Sequence, residues 1–297
     1  MMDFQNRYHQ YANLIEKELE KQLAFLYLPQ QTVVEAMKYS LLGGGKRFRA
    51  ILTLAFSEQL FQNIEDAIPL ACAVEMIHAY SLIHDDLPCM DNDDLRRGKP
   101  SCHIAYGEAI ALLAGDALLT NSFWCITSNE YSQKIEAKNI LKVASLAAHT
   151  SGFLGMIGGQ VMDMQSEAKQ ISISELQQLH HLKTGELIRF SAVSVCMLNN
   201  GSEKVLDTVS NFAKEIGIAF QVIDDILDVI GDNKLLGKKV GSDVENNKTT
   251  YVSLLGLEKA KKIAQNHINT AKHHLDTLGI QDSFLYELSD MIVSRKF

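Results

Sequence analysis

Between Asp85 and Asp94 five carboxylates fall within ten residues, in the run His84-Asp85-Asp86-Leu87-Pro88-Cys89-Met90-Asp91-Asn92-Asp93-Asp94, and Leu95-Arg96-Arg97-Gly98-Lys99 follows at once. A second acidic group, Asp224-Asp225-Ile226-Leu227-Asp228, places Asp224 and Asp228 on one face of a helix, with Asp225 about 100° around it. Like charges at that spacing repel, and the stretch from Ile216 to Ile230 is otherwise so apolar that its aspartates face a low-dielectric region. A cation has to compensate them. Oxygen ligands without a nearby His or Cys constellation suit a hard ion. Mg²⁺ characteristically takes one or two carboxylates and fills its other positions with water and phosphate oxygens. The pattern points to diphosphate chemistry. For either group alone a solvated, charged helix end is the competing account, which two such groups on apolar helices weaken. A calcium loop is excluded, because counting from Asp91 puts Arg96 where Gly is required and Cys102 where Glu is required.

Basic residues answer the acidic ones. Lys46, Arg47 and Arg49 follow Gly43-Gly44-Gly45, where exposed backbone N–H groups at a helix start can join side chains in holding an anion. This is not a nucleotide P-loop, which would need Gly at Ser40 and Ser or Thr at Arg47. Arg96 and Arg97 offer forks that match phosphate oxygens, whereas Lys183, Lys238 and Lys239 offer point charges. Each alone would pass for a surface residue; the constellation is the signal.

The elements that hold these groups read as helices. Apolar residues recur at three-and-four spacing, as in Val33, Met37, Leu41 and Leu176, Leu179, Leu182, and two-residue alternation is scarce. The expected helices are 5–27, 30–42, 46–62, 66–87, 104–130, 138–155, 158–170, 174–200, 203–230, 244–256, 257–278 and 282–295, an all-α chain without a low-complexity linker. Asp85 and Asp86 should end the apolar helix before them, and Pro88 disfavours its continuation, so that Asp91 curls back toward Asp85. The marked irregular segments are the three glycines, Pro88 to Pro100, and Gly231 to Asp243.

Composition narrows the class. A chain of 297 residues, 46% hydrophobic and 22% charged, is long enough to bury a large core, and its four prolines all lie in the first 100 residues. A net charge of -8 argues against general nucleic-acid binding. Five scattered cysteines without a C-x-x-C pair read as reduced thiols of a cytoplasmic protein. Residues 1–10 lack the apolar core of a secretory signal, and Asp116 and Asn121 interrupt the most apolar run, 109–126, so neither export nor a membrane span is expected.

Taken together, Gly43 to Arg49, Asp85 to Arg97, Lys183-Thr184-Gly185 and Phe220-Gln221 through Asp228 resemble the trans-prenyltransferase family, and within it the bacterial farnesyl diphosphate synthases. The resemblance runs through Gly158-Gly159-Gln160-Val161-Met162-Asp163 and Leu236-Gly237-Lys238 to Lys248-Thr249-Thr250-Tyr251, essentially the whole chain. It implies a single domain over residues 1–297 with the isoprenoid synthase fold, a bundle of long helices around a deep cavity with both aspartate motifs at its mouth, usually a homodimer. By the same resemblance Asp85 and Asp91, with Asp86 close by, would hold two Mg²⁺ ions, and Asp224, supported by Asp225 and Asp228, a third. Lys46, Arg49, His78 and Arg97 would hold isopentenyl diphosphate. Arg96, Lys183, Thr184, Gln221 and Lys238 would meet the allylic diphosphate. Two positions depart from the family: Ala50 stands where a proline is common, and Asn92 replaces an aspartate.

The implied reaction is a head-to-tail condensation through an allylic carbocation, its leaving diphosphate neutralised by metal and basic side chains. Thr184 and Gln221 are uncharged dipoles that can stabilise the cation without being alkylated, although a helix kink and core hydrogen bonding account for them equally. Tyr80, about 7.5 Å along a helix before Asp85, with Ser81 beside it, corresponds to the cavity floor in similar enzymes and implies a fifteen-carbon product. Synthases of longer or shorter products belong to the same family. An all-α metal phosphohydrolase, suggested by His84-Asp85, a non-catalytic subunit and a terpene cyclase are the other readings. The last has no need of a second diphosphate seat.

Overall fold

The computed structural model describes residues 3–128, 133, 135–167, 169–230, 248–281 and 283–294. Among them the only strands are Leu95–Arg96 (β1) and Lys99–Pro100 (β2), an antiparallel pair. Everything else that is regular is helical, as the apolar spacing predicts. The chain divides into two compact units, Met1–Ile140 and Leu141–Phe297.

The first unit is built around α4 (Ile68–Asp85), which a 3₁₀ turn and Pro69 in the first helical turn start. Leu70, Val74, Ile77, Tyr80 and Ile83 are among its buried residues, which lie on every face, so this helix is a core element and not an amphipathic cover. Packed on it are α1 (Phe4–Gln22), α2 (Gln31–Leu41), α3 (Phe48–Phe61) and α6 (Glu108–Thr127). The sequence predicts one helix over 104–130. The structure instead breaks it at Gly107, whose φ of 84° ends the short α5 (Cys102–Tyr106) and starts α6.

The division at Ile140 falls within α7 (Ala137–Ser151); in the second unit α8 (Met156–Ser166) precedes α9 (Ile173–His180), which begins with a capping box between Ser172 and Glu175. The expected helix 174–200 is interrupted: residues His181–Gly185 form a π-helical turn before α10 (Glu186–Leu198). The 28-residue α11 (Glu203–Ile230) packs against α10 and α13 (Leu257–Thr277); α12 (Tyr251–Leu255) and α14 (Phe284–Val293) complete the unit. Of the expected helix 244–256, residues 251–255 are helical and 248–250 are not, because Thr250 caps α12 with its hydroxyl.

By length and composition three stretches are apolar enough to cross a membrane, Glu65–Asp85, Glu108–Thr127 and Ala137–Ser166. The first is 67% buried inside the unit it organises, and Gly152 to Gly155 break the third into two helices.

Candidate active site

α4 ends where the chemistry begins. Asp85 is its last residue, and beyond it Leu87 N–H donates to the His84 carbonyl at 3.1 Å, Met90 N–H to Leu87 at 2.8 Å and Asp91 N–H to Asp85 at 2.9 Å. The expected return of Asp91 to Asp85 is thus made by the backbone. Asp86 is buried and accepts from Arg96 Nε at 3.0 and 3.2 Å and from its Nη2, which also reaches Asp93 at 3.3 Å. Burial pushes the Asp86 carboxyl up and Arg96 pulls it down; it stays above its ordinary value. Asp86, expected beside the metal, and Arg96, expected at the allylic diphosphate, are partners of each other here. Asp85 and Asp91 keep more exposed positions.

The β1–β2 hairpin explains how two adjacent arginines part company. Its turn, Arg97-Gly98, has φ of 55° and 74°, the left-handed pair that a two-residue hairpin twist favours. Arg96 faces Asp86, while the Arg97 guanidinium lies over Gly45, where a Cβ would stand 2.8 Å from Nη2. Gly45, at φ 126°, therefore gives the loop its course and leaves room for Arg97. This brings Arg97 to the glycine loop. Half-buried His78 on α4 is held well below its usual pKa, first by burial and then by the positive charges of Arg49, Arg97, Arg47 and Arg96. Such a concentration of cations is a place for an anion. A hollow of about 40 Å³ beside it is lined by Tyr39, Ala79, Ile83, Asp86, Arg96 and Arg97, among others.

Arg47 is the exception among the basic residues. At φ 50° its side chain turns inward and is 4% exposed, with Nε 2.7 Å from Glu16, Nη1 3.2 Å from Glu75 and Nη2 2.6 Å from the Leu41 carbonyl. It braces the loop from inside. Glu75 also accepts from Ala50 N–H at 3.2 Å, so the departure from proline at position 50 is used: a proline has no such donor. The sequence reading missed Glu75, although a lone carboxylate in the middle of apolar α4 was the available signal.

Tyr80 is 5% exposed, its hydroxyl has no hydrogen-bond partner among the described residues, and burial with nearby Asp85 pushes its pKa up to about 12. Its ring meets His84 edge-on at 5.7 Å. His84 Nε2 lies 3.1 Å from the Leu112 carbonyl, and at Gly115 a Cβ would stand 2.1 Å from that nitrogen. The Nε2 edge of the imidazole is therefore held against α6. Ser81 spends its hydroxyl on the His78 carbonyl at 2.9 Å.

In the second unit the π turn carries Lys183 and Thr184. Lys183 Nζ is 2.6 Å from Asp163 Oδ2, and Lys248 Nζ is 3.6 Å from the same oxygen. Burial alone would raise the Asp163 carboxyl, but the two lysines outweigh it and hold it below its usual value. Thr184 Oγ1 donates to Gln221 Oε1 at 2.5 Å. Small residues make this geometry possible: a Cβ on Gly159 would stand 2.2 Å from the Lys183 nitrogen, and one on Gly217 2.9 Å from Gly185 Cα. Asp163 was quoted in the sequence only as part of a motif, and its role as the lysine anchor was not read.

Asp224 is half-buried, while Asp225 and Asp228 are 6% and 3% exposed on the last turns of α11. Asp225 Oδ2 accepts the Tyr251 N–H at 2.7 Å and so fixes the start of α12. No group of three or more His, Cys, Asp or Glu among the described residues forms a ready-made metal cage. Mg²⁺ uses one or two carboxylates and leaves the rest to water and phosphate; its expected ligands are Asp85 and Asp91 in the first unit and Asp224 in the second. Lys238 and Lys239, with the segment Gly231 to Asp243, lie outside the described residues.

The polyprenyl synthetase family model matches residues 30–278. The farnesyl diphosphate synthase of Bacillus subtilis (strain 168) is 46% identical over 95% of this chain and 94% of its own length. The geranylgeranyl diphosphate synthase of Cyanophora paradoxa is 42% identical over 89% of this chain and 87% of its own. Among solved structures, a geranyltransferase from Helicobacter pylori complexed with magnesium and isoprenyl diphosphate superposes with a TM-score of 0.84 at 32% identity, covering 99% of this chain and 97% of that one.

Proposed function

The chain belongs to the polyprenyl synthetase family, and from that premise we propose that it is a magnesium-dependent prenyltransferase making farnesyl diphosphate from isopentenyl diphosphate and dimethylallyl or geranyl diphosphate. The observation that carries this reading is the placing of Arg49 and Arg97 by His78, beside the Gly45 cradle. A hydrolase or a cyclase handles one diphosphate; a seat of cations apart from the carboxylates that would take metal serves a second.

Lys46, Arg49, His78 and Arg97 bind and orient isopentenyl diphosphate. Asp85 and Asp91, and in the second unit Asp224, would hold Mg²⁺, three ions with substrate bound; Asp86 would be ordered by Arg96, and Asp225 by the start of α12, with Asp228 supporting Asp224. When bound, the metal supplies charge neutralisation for the departing allylic diphosphate. Arg96, Lys183 and Lys238 would meet that group, with Asp163 aiming Lys183. The Thr184–Gln221 pair presents neutral dipoles where positive charge develops on carbon, and excludes a nucleophile from it. Tyr80 closes the prenyl pocket at fifteen carbons. The likeness to a synthase of twenty-carbon product lies close behind the likeness to farnesyl diphosphate synthase, so product length rests on Tyr80 and not on identity. The reading extends to one catalytic module over 1–297 acting as a cytoplasmic homodimer.

Chromatography of products from labelled geranyl and isopentenyl diphosphates with Mg²⁺ tests it. A fifteen-carbon diphosphate formed only with both substrates and lost on chelation is the expected result. Phosphate released from geranyl diphosphate alone would overturn it.

A further inference from the structure

α1 stands outside the residues matched by the family model, which begins at residue 30, yet it is fastened to the phosphate-facing loop at two points. The Tyr8 hydroxyl donates to the Lys46 carbonyl, and Glu16 Oε1 accepts from Arg47 Nε at 2.7 Å. Both ties fall on adjacent residues of the turn between the glycines and α3. The second continues inward: Arg47 is buried at 4% exposure and also holds Glu75 at 3.2 Å and the Leu41 carbonyl at 2.6 Å, spanning α1, α4 and the end of α2. Because Arg47 takes a left-handed φ of 50°, its inward course sets the direction in which the chain presents Lys46 before it and Arg49 after it. Burial by itself would weaken the charge on Arg47, but Glu16 and Glu75 outweigh it, so the tie persists as an ion pair.

We propose that Tyr8 and Glu16 are positioning residues for isopentenyl diphosphate: α1 holds the backbone at Lys46 and Arg47 so that the cations flanking them converge on one anion. The proposal rests on the reading that Lys46, Arg49, His78 and Arg97 form that seat. α1 has a separate attachment that supplies the control. Arg7 and Tyr11 both bond Glu58 on α3, and Tyr11, Ile15 and Leu19 are buried, so the helix is docked independently of the loop.

The test is steady-state kinetics on the full chain, varying each substrate in turn, with melting temperatures measured alongside. Tyr8→Phe removes one hydroxyl from a half-buried ring, a change the fold survives, and Glu16→Gln removes one charge. Each is expected to raise KM for isopentenyl diphosphate about fivefold, the worth of one hydrogen bond, with KM for geranyl diphosphate unchanged. Glu58→Gln is expected to lower the melting temperature without moving either KM. Unchanged isopentenyl diphosphate KM in both Tyr8→Phe and Glu16→Gln overturns the inference, as does an equal rise in Glu58→Gln, which would make docking alone the cause. The seat itself is judged separately: if Lys46→Ala and Arg49→Ala leave that KM at the wild-type value, the reading beneath the inference fails instead.

Discussion

Three side chains show how an individual residue's surroundings fix its task. Lys183 is pinned at 2.6 Å by a carboxylate whose own charge is secured by two lysines, so its ammonium has one direction to point. Lys183→Ala is expected to lower kcat by about two orders of magnitude, as removal of one preorganised cation does, with Asp163→Asn falling part of the way. Tyr80 is buried, and its hydroxyl has no hydrogen-bond partner among the described residues; the reading makes its ring the floor of the prenyl pocket. Tyr80→Ala should therefore shift the product toward twenty carbons, read by chromatography; an unchanged fifteen-carbon product would remove it from the floor. Ala50 offers a test of stability alone. A proline there would restrict the unfolded chain, worth about 0.4–1 kcal/mol. It would also strip buried Glu75 of its Ala50 donor, costing about 1–3 kcal/mol. The second effect is the larger, so Ala50→Pro should lower the denaturation midpoint despite the residue's frequency in the family.

Among the helices, the π turn at His181–Gly185 is the one irregularity that positions chemistry. One extra residue in the turn rotates Lys183 and Thr184 relative to a regular helix, and π turns recur at functional sites for that reason. It survives because α8 and α11 approach it through Gly159 and Gly217, with no side chain between. Gly217→Ala puts a methyl 2.9 Å from Gly185 Cα, against backbone that cannot rotate away, so α11 has to move off the turn. The expected cost is about 1–3 kcal/mol, together with a drop in kcat as the Thr184–Gln221 bond lengthens. Differential scanning calorimetry and turnover on the same sample measure both. A variant that melts like the wild type would show that the close approach is not needed.

For the whole molecule, response to acid follows from burial. His180 is buried with Nδ1 unpartnered among the described residues, and burial lowers its pKa from 6.5 to about 4. Above pH 6.5 the folded and unfolded chains bind the same number of protons at this group. Below it only the unfolded chain is protonated, until the folded value is reached. Stability from this residue is thus present near neutrality and lost between pH 6.5 and about 4, by about 3 kcal/mol. The fall in urea midpoint from pH 7 to 4.5 should be smaller in His180→Phe, which keeps the ring against Tyr251, than in the wild type. Equal falls would assign acid sensitivity elsewhere.

The helical class, the two carboxylate groups, the glycine-and-arginine loop and the family were legible in the chain itself, because each depends on spacing along it. Periodicity made the helices, Asp85 and Asp86 before Pro88 marked where α4 stops, and the motifs lie in sequence order. Which partner a charge chooses was not legible. Arg47 read as a phosphate ligand and is a buried brace, Arg96 and Asp86 read as contacts to different groups and hold each other, and Asp163 and Glu75 went unread. Such pairings are made across 10 to 31 residues between separate elements, as Arg96–Asp86 and Arg47–Glu16 are. The same holds for the break at Gly107, which local propensity leaves as continuous helix, whereas a kink at Lys183-Thr184-Gly185 was among the readings of that motif. Spacing determines what a segment becomes, while the direction of each charged side chain is decided only when desolvation makes an unpaired charge too costly and packing limits which opposite charge is within reach.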